Sequence, residues 1–149
     1  MKMISDNREA RYRYMVLESV TAGIVLVGTE VKSAKIGQVQ LRDAFVRIAN
    51  EEAFLHNCHI SHYSHGNIQN HEVSRTRKLL LKKSEIRKLF AKVHERGLTL
   101  IPLKMLLHRG MIKIEVGLCK GKDLRDKRQT IKTREADIEM NRALRGKDE

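Results

Sequence analysis

A mainly β domain with a few helices, its strands antiparallel, is what this sequence of 149 residues predicts, and three observations carry the expectation. Apolar and β-branched residues gather in short runs punctuated by Gly, Asn and Arg. Two pairs of such runs are separated by about three turn residues, the spacing of a hairpin. Only one long segment, beginning near Ser84, has an apolar period of 3.6 with a matching start and stop.

From Tyr12 to Val27 the composition is β-rich, as YRYMVLESV and then GIVLVG after Thr21-Ala22, with Gly23 and Gly28 as punctuation. GTEVKSAKIG (28–37) reads as a short helical or turn segment framed by glycines. AFVRIA (44–49) and AFLHNCHI (53–60) flank Asn50-Glu51-Glu52, a hairpin loop. Residues 61–74 are polar, rich in His and without period, a loop. Ser84 is placed to cap the helix, Ile86, Leu89, Phe90 and Val93 make its apolar stripe, and Gly97 stands where a C-terminal cap belongs. LTLIPLKMLL (98–107), a His108-Arg109-Gly110 turn and MIKIEVGLC (111–119) form a second hairpin, with Pro102 marking an edge or bulge. About six strands in this order suit a small barrel of the oligonucleotide-binding kind, and equally a two-sheet sandwich.

After Gly121 the composition changes. Residues 124–149 hold Leu124, Ile131, Ile138, Met140 and Leu144 as their sizeable apolar groups, and the first three recur every seven residues. That stripe is too thin to dock a helix. The division expected is a β-barrel over 1–122 and a basic tail over 123–149, disordered when free and helical on a partner.

Thirty Lys+Arg against 18 Asp+Glu leave a net charge of +12. This exceeds the magnitude of about 2–8 that solubility requires, and points to a polyanion. Aromatic residues are only 4% of the chain, which favours reading a folded RNA through its backbone and shape over stacking single strands. No apolar run approaches the roughly 20 residues of a membrane helix. Residues 1–11 lack the apolar centre of an export signal, so a cytoplasmic protein without a membrane role is expected. Cys58 and Cys119 are far apart and read as buried small hydrophobes in a reducing compartment.

The basic residues fall in two clusters. Arg75, Arg77, Lys78, Lys82, Lys83, Arg87, Lys88 and Lys92 stand against Glu85 alone, and on a strand Arg75 and Arg77 would share a face with Leu79, turned toward the core or a ligand. Residues 120–134 carry the second cluster. Phosphates neutralised by these groups would make binding steeply dependent on salt. His56, His59, His62, His65 and His71 crowd around Cys58, but their spacing fits no zinc motif, so no metal and no cofactor is expected. Nothing fixes two histidines in one pocket as a ribonuclease needs, and no Walker or GxGxxG pattern occurs; the sequence predicts no enzyme.

At this point specific blocks match a known family. Asn7-Arg8 with Ala10, Ala22-Gly23, GTEVKS (28–33), Phe54-Leu55-His56-Asn57, His59-Ile60-Ser61, Gly66-Asn67, Asn70-His71, RTRKLLL (75–81), Thr99-Leu100 with Pro102-Leu103, Lys120-Gly121-Lys122 and Asp126-Lys127-Arg128 resemble, in order, the small protein B family of bacterial ribosome rescue. The resemblance implies an oligonucleotide-binding-type barrel with a tail. It further implies binding to the tRNA-like domain of tmRNA (SsrA RNA) and delivery of alanylated tmRNA to stalled 70S ribosomes. There the tail would enter the empty mRNA channel by the 16S decoding centre. Elongation factor Tu and alanyl-tRNA synthetase would be partners indirectly, through tmRNA. By position, Asn7 and Leu80 match sites tied to tmRNA binding. Glu30, Lys32, His71, Arg75, Arg77, Lys78, Lys113, Lys120 and Lys122 match positions in or near the RNA-facing surfaces. Arg125, Asp126, Lys127, Arg128, Ile131, Lys132 and Arg134 match the ribosome-binding tail. The chain departs from the family pattern at Glu9, Thr21, His62, Val73, Leu106-Leu107 and Arg125; Thr21 stands where the family carries an acidic residue tied to tmRNA binding.

Overall fold

The computed structural model describes residues 1–64 and 70–121. In chain order the described elements are β1 (Lys2–Asp6), α1 (Arg8–Arg13), β2 (Tyr14–Ile24), α2 (Gly28–Lys35), β3 (Val39–Gln40), β4 (Phe45–Ala49), β5 (Glu52–His56), β6 (His59–Ile60), β7 (Arg77–Leu80), α3 (Lys83–Arg96), β8 (Thr99–His108) and β9 (Met111–Gly121). Six strands close a ring, β8-β4-β5-β7-β2-β9 and back to β8, all antiparallel. The ring selects a barrel over a sandwich. β1 lies beside β4 on the same edge of β8, and β3 pairs separately with β6.

Turn chemistry closes the hairpins. Asn50 and Glu51 both have positive φ (53° and 61°), as do Arg109 and Gly110 (51° and 80°), the geometry of two-residue type I′ turns whose twist matches the strands. Glu52 and His108, which the sequence reading counts in the loops, therefore belong to strands. Pro102 sits where the β8–β9 register shifts, between Pro102 and Lys104, so its missing N–H is absorbed by a bulge.

Two helical expectations change. α3 begins at Lys83, with Glu85 Oε1 accepting from the Lys82 N–H (3.0 Å), so Ser84 lies inside the first turn and does not cap it. Ile86, Leu89 and Val93 are buried, but Phe90 is 40% exposed and rests on the His94 ring. Gly97, at φ 64°, ends the helix as its spacing implies. The N-terminal region holds an unforeseen strand and helix: α1 takes Tyr12 and Arg13, and β2 then runs unbroken through Thr21-Ala22.

Two cores result. Leu55, Ile60, Leu79, Met105, Ile114, Val116 and Leu118 fill the barrel, joined by the α3 stripe. On the opposite face of β8 and β9, Ala10 of α1 covers Ile101, Leu103 and Cys119. Gly117 permits this outer core, because a Cβ there would lie 2.8 Å from Leu103 Cδ1.

Candidate nucleic-acid interface

Register aligns five strands into one outward row. Met3 opposes Leu106, Leu106 opposes Lys113, Lys113 opposes Gly23, and Gly23 opposes Leu80. Directly opposed residues share a face. Their neighbours Ala22, Ile24, Leu79, Met105, Ile112 and Ile114 point into the core, so this row faces solvent. Leu80 is 53% exposed and Met3 51%. A Cβ on Gly23 would lie 3.4 Å from Leu80 Cβ, so the leucine rests directly on the glycine.

The adjacent row is Asp6, Lys104, Glu115 and Thr21. Lys104 lies 3.7 Å from Glu115, and Asp6 is bridged by Arg11 at 2.7 Å, so this row is internally neutralised. Lys113 therefore stands as a cation between apolar groups, with no carboxylate partner among the described residues. Lys78, outward on β7, reaches Glu52 at 2.8 Å. Thr21 is exposed opposite Glu115, next along β2 from the row that holds Leu80.

Beneath this surface lies a buried ionic knot. Glu30, in the first turn of α2, and Arg77, the first residue of β7, are both fully buried. Arg77 donates through Nε (2.8 Å) and Nη2 (2.6 Å) to Glu30 Oε2, and through Nη1 to the Cys58 carbonyl (2.6 Å). Arg75 donates through Nε to Oε2 (3.0 Å) and through Nη2 to Oε1 (2.6 Å), while the Val27 N–H takes Oε1 at 2.9 Å. Burial works to raise the Glu30 pKa, but the hydrogen bonds from Arg75, the Val27 N–H and Arg77 outweigh it and hold the carboxyl below its ordinary value. Glu30 in turn raises the pKa of Arg75, which remains partly exposed.

Of the two directions open to the face that carries Arg77 and Leu79, the core or a ligand, the strand takes the core. Within β7 alternation sends Arg77 and Leu79 inward, Lys78 and Leu80 outward; Arg75 precedes the strand. An arginine can occupy that inward position because α2 brings a carboxylate to it.

His71 and Asn7 are buried as well. His71 Nε2 lies 2.8 Å from the Ile60 carbonyl and Nδ1 lies 2.8 Å from Thr29 Oγ1. A carbonyl only accepts, so Nε2 donates to it. Asn7 caps α1 by accepting from the Ala10 N–H (3.2 Å) and donates through Nδ2 to the Leu41 (3.2 Å) and Pro102 (2.8 Å) carbonyls. These four residues fix the shape on which the exposed groups stand.

Lys32 is exposed on α2 with its ammonium 5.7 Å from the Tyr63 ring centroid, a cation–π contact. Lys120 is exposed near the far end of β9, opposite Met15. Lys122, Arg125, Asp126, Lys127, Arg128, Ile131, Lys132 and Arg134, the expected tail as a whole, and His65 lie outside the described residues. Among the described residues no group of three or more His, Cys, Asp or Glu is arranged to hold a metal ion. Burial pushes the Cys58 thiol up to about 12 and the Cys119 thiol to about 11, so both are inert at neutral pH. No helix among the described residues is long and apolar enough to cross a membrane.

Sequence reasoning missed Met3, Leu106 and Gly23 as members of the outward row, and Thr29 as the partner of His71. The strand period of MIKIE marks Lys113 as outward, but no sequence signal pairs it with Gly23.

Comparison with known proteins agrees with this fold. A family model described as SmpB protein matches residues 4–146. An SsrA-binding protein of Acaryochloris marina is 54% identical over 145 residues, covering 97% of this chain and 94% of that protein. One from Thermosynechococcus vestitus is 53% identical over 146 residues, covering 97% and 96%. A solved chain described as "tmRNA-SmpB: a journey to the center of the bacterial ribosome" is 43% identical, with a TM-score of 0.70, covering 88% of this chain and 92% of that one.

Proposed function

The chain belongs to the SmpB protein family, and from that membership we infer that it binds tmRNA and acts in trans-translation, the rescue of stalled ribosomes. The observation that carries the reading is agreement at about half of all positions along nearly the whole chain, together with the same fold. The activity is binding, without a chemical step, in the cytoplasm.

The geometry supports a finer assignment. Lys113, Lys78, Lys32 and Arg75 meet phosphates of the tRNA-like domain, and Leu80 seated on Gly23 supplies an apolar contact. Glu30, Arg77, His71 and Asn7 act from beneath by holding that surface in shape. Lys120 and Lys122 belong with the tmRNA-facing residues, and the tail, with Arg125, Asp126, Lys127, Arg128, Ile131, Lys132 and Arg134, serves the ribosome's empty mRNA channel. Elongation factor Tu and alanyl-tRNA synthetase meet the protein through tmRNA.

Competition between the tRNA-like domain of tmRNA and bulk tRNA tests the reading. Preference for the tRNA-like domain by about tenfold or more, roughly 1.4 kcal/mol, is expected. Equal affinity would leave a general ribosome-associated RNA-binding protein. Truncation after Lys122 is expected to keep tmRNA affinity and abolish tagging of stalled chains; equal loss of both would end the division between barrel and tail.

A further inference from the structure

Sulfur on this chain divides by exposure. Cys58, Cys119 and Met105 are buried, and burial holds both thiols above their ordinary pKa. Met111 is 61% exposed and Met3 51%. A thiol must lose its proton before it reacts readily with an oxidant, whereas a thioether sulfur presents its lone pair at every pH. Among the described residues, the sulfur that an oxidant in solution can reach is therefore that of methionine.

Register places two methionines beside one cation. Met3 opposes Leu106 and Leu106 opposes Lys113, one line across β1, β8 and β9. Met111 precedes Lys113 by two residues on β9, on the same face and about 7 Å along the strand. It opposes His108, which stands two residues from Leu106 on the outward side of β8. Lys113 is thus bordered by Gly23 and Leu80 toward β7, by Leu106 and Met3 toward β1, and by Met111 along its own strand. Met15 is exposed but stands apart, eight residues or about 26 Å from Gly23 on β2.

We propose that Met3 and Met111 form an oxidative modification site, and that their conversion to sulfoxides by hydroperoxides lowers the affinity of the outward row for tmRNA. The inference rests on the tmRNA reading above. With hydrogen peroxide, the sulfur lone pair attacks one oxygen, and the S–O bond forms as the O–O bond breaks. The proton on the attacked oxygen passes to the departing one, which leaves as water; sulfur is oxidised by two electrons and the peroxide is reduced. Each sulfoxide sets a polar oxygen where a flexible apolar side chain had bordered Lys113. The negative end of that dipole then faces a polyanion. No cation is lost, so the apolar contact weakens while phosphate neutralisation is kept. Met105 is shielded inside the barrel, which confines the change to the surface and spares the core. Enzymes that reduce methionine sulfoxide would reverse it.

The test treats the full-length protein with dilute hydrogen peroxide, assigns sulfoxides by peptide mass mapping, and titrates the tRNA-like domain of tmRNA before and after treatment at several salt concentrations. Met3 and Met111 should oxidise well before Met105, and affinity should fall about three- to tenfold with the salt slope unchanged. The double variant Met3→Leu, Met111→Leu should lose the response, keeping its own untreated affinity to within about twofold. Met15→Leu should respond as the unaltered protein does. Met3→Gln with Met111→Gln sets an amide oxygen at both positions without oxidation and should bind about as weakly as the treated protein, with circular dichroism showing that it is folded. Unchanged affinity once both residues are oxidised, a lowered salt slope, or an undiminished response in the leucine variant overturns the proposal. Failure of the untreated protein to bind the tRNA-like domain would overturn the tmRNA reading and this proposal with it, whereas binding that peroxide leaves untouched overturns this proposal alone.

Discussion

Arg77 and Lys88 belong to one run of basic residues, yet they meet opposite surroundings. Arg77 is fully buried, with its guanidinium divided between the Glu30 carboxylate and backbone carbonyls. Lys88 projects from α3 into water, close to Glu18 but bonded to nothing among the described residues. A buried guanidinium stripped of its carboxylate is costly, whereas an exposed ammonium stripped of a neighbour is nearly indifferent. Positive charge on this chain therefore has two uses, and only burial and pairing distinguish them. The run that looks like one RNA-binding cluster is part scaffold and part surface.

The comparison breaks most visibly at Glu30. Glu30→Gln leaves Arg75 and Arg77 without their counter-charge, and a loss of about 3–5 kcal/mol in urea unfolding is expected. A change below about 1 kcal/mol would show that the knot is not structural. The pH dependence has a definite sign. The folded-state pKa of Glu30 is lowered, so its contribution is present above the unfolded-state pKa and is lost as pH falls through the folded-state value. Urea midpoints measured from neutral pH into the acid range should fall less steeply in Glu30→Gln than in the unaltered protein.

Gly117→Ala probes the outer core in the same way, since the added Cβ meets Leu103 and Cys119. Overpacking of about 1–3 kcal/mol is expected in thermal unfolding, with tmRNA affinity of the folded fraction unchanged. Leu80→Ala should reverse that pattern. Its side chain is half exposed, so stability should change by less than about 1 kcal/mol. Affinity for the tRNA-like domain should drop, as a gel-shift titration would read. Lys113→Gln is expected to do less, weakening binding and lowering the salt slope by about 0.7–0.9, the contribution of a single phosphate contact.

Much of the architecture is legible in local signals. Asn50 and Arg109-Gly110 announce their hairpins because I′ turns need positive φ, and Gly97 ends α3 for the same reason. Pro102 announces a bulge because it cannot donate to a ladder. Other features are not local. KMISD has no alternation that marks β1; it becomes a strand because β8 offers it an edge beyond β4. Phe90 fits the helical stripe by spacing, but the core turns toward Ile86, Leu89 and Val93, and the ring is left against His94. Ser84 is a good capping residue displaced by Glu85, which bonds back to the Lys82 N–H one turn-start earlier.

The interface divides along the same line. The blocks GTEVKS and RTRKLLL identify the family, and the excess of Lys and Arg calls for a polyanion. Those are properties of composition and order along the chain, and they need no coordinates. Whether Arg77 faces RNA or a carboxylate 47 positions away, and whether Lys113 sits beside Leu80 or far from it, are questions of register and of helix placement. Those depend on contacts between residues distant in sequence. Alternation says which residues of a strand share a side, but closure of the ring and the docking of α2 decide which side meets solvent.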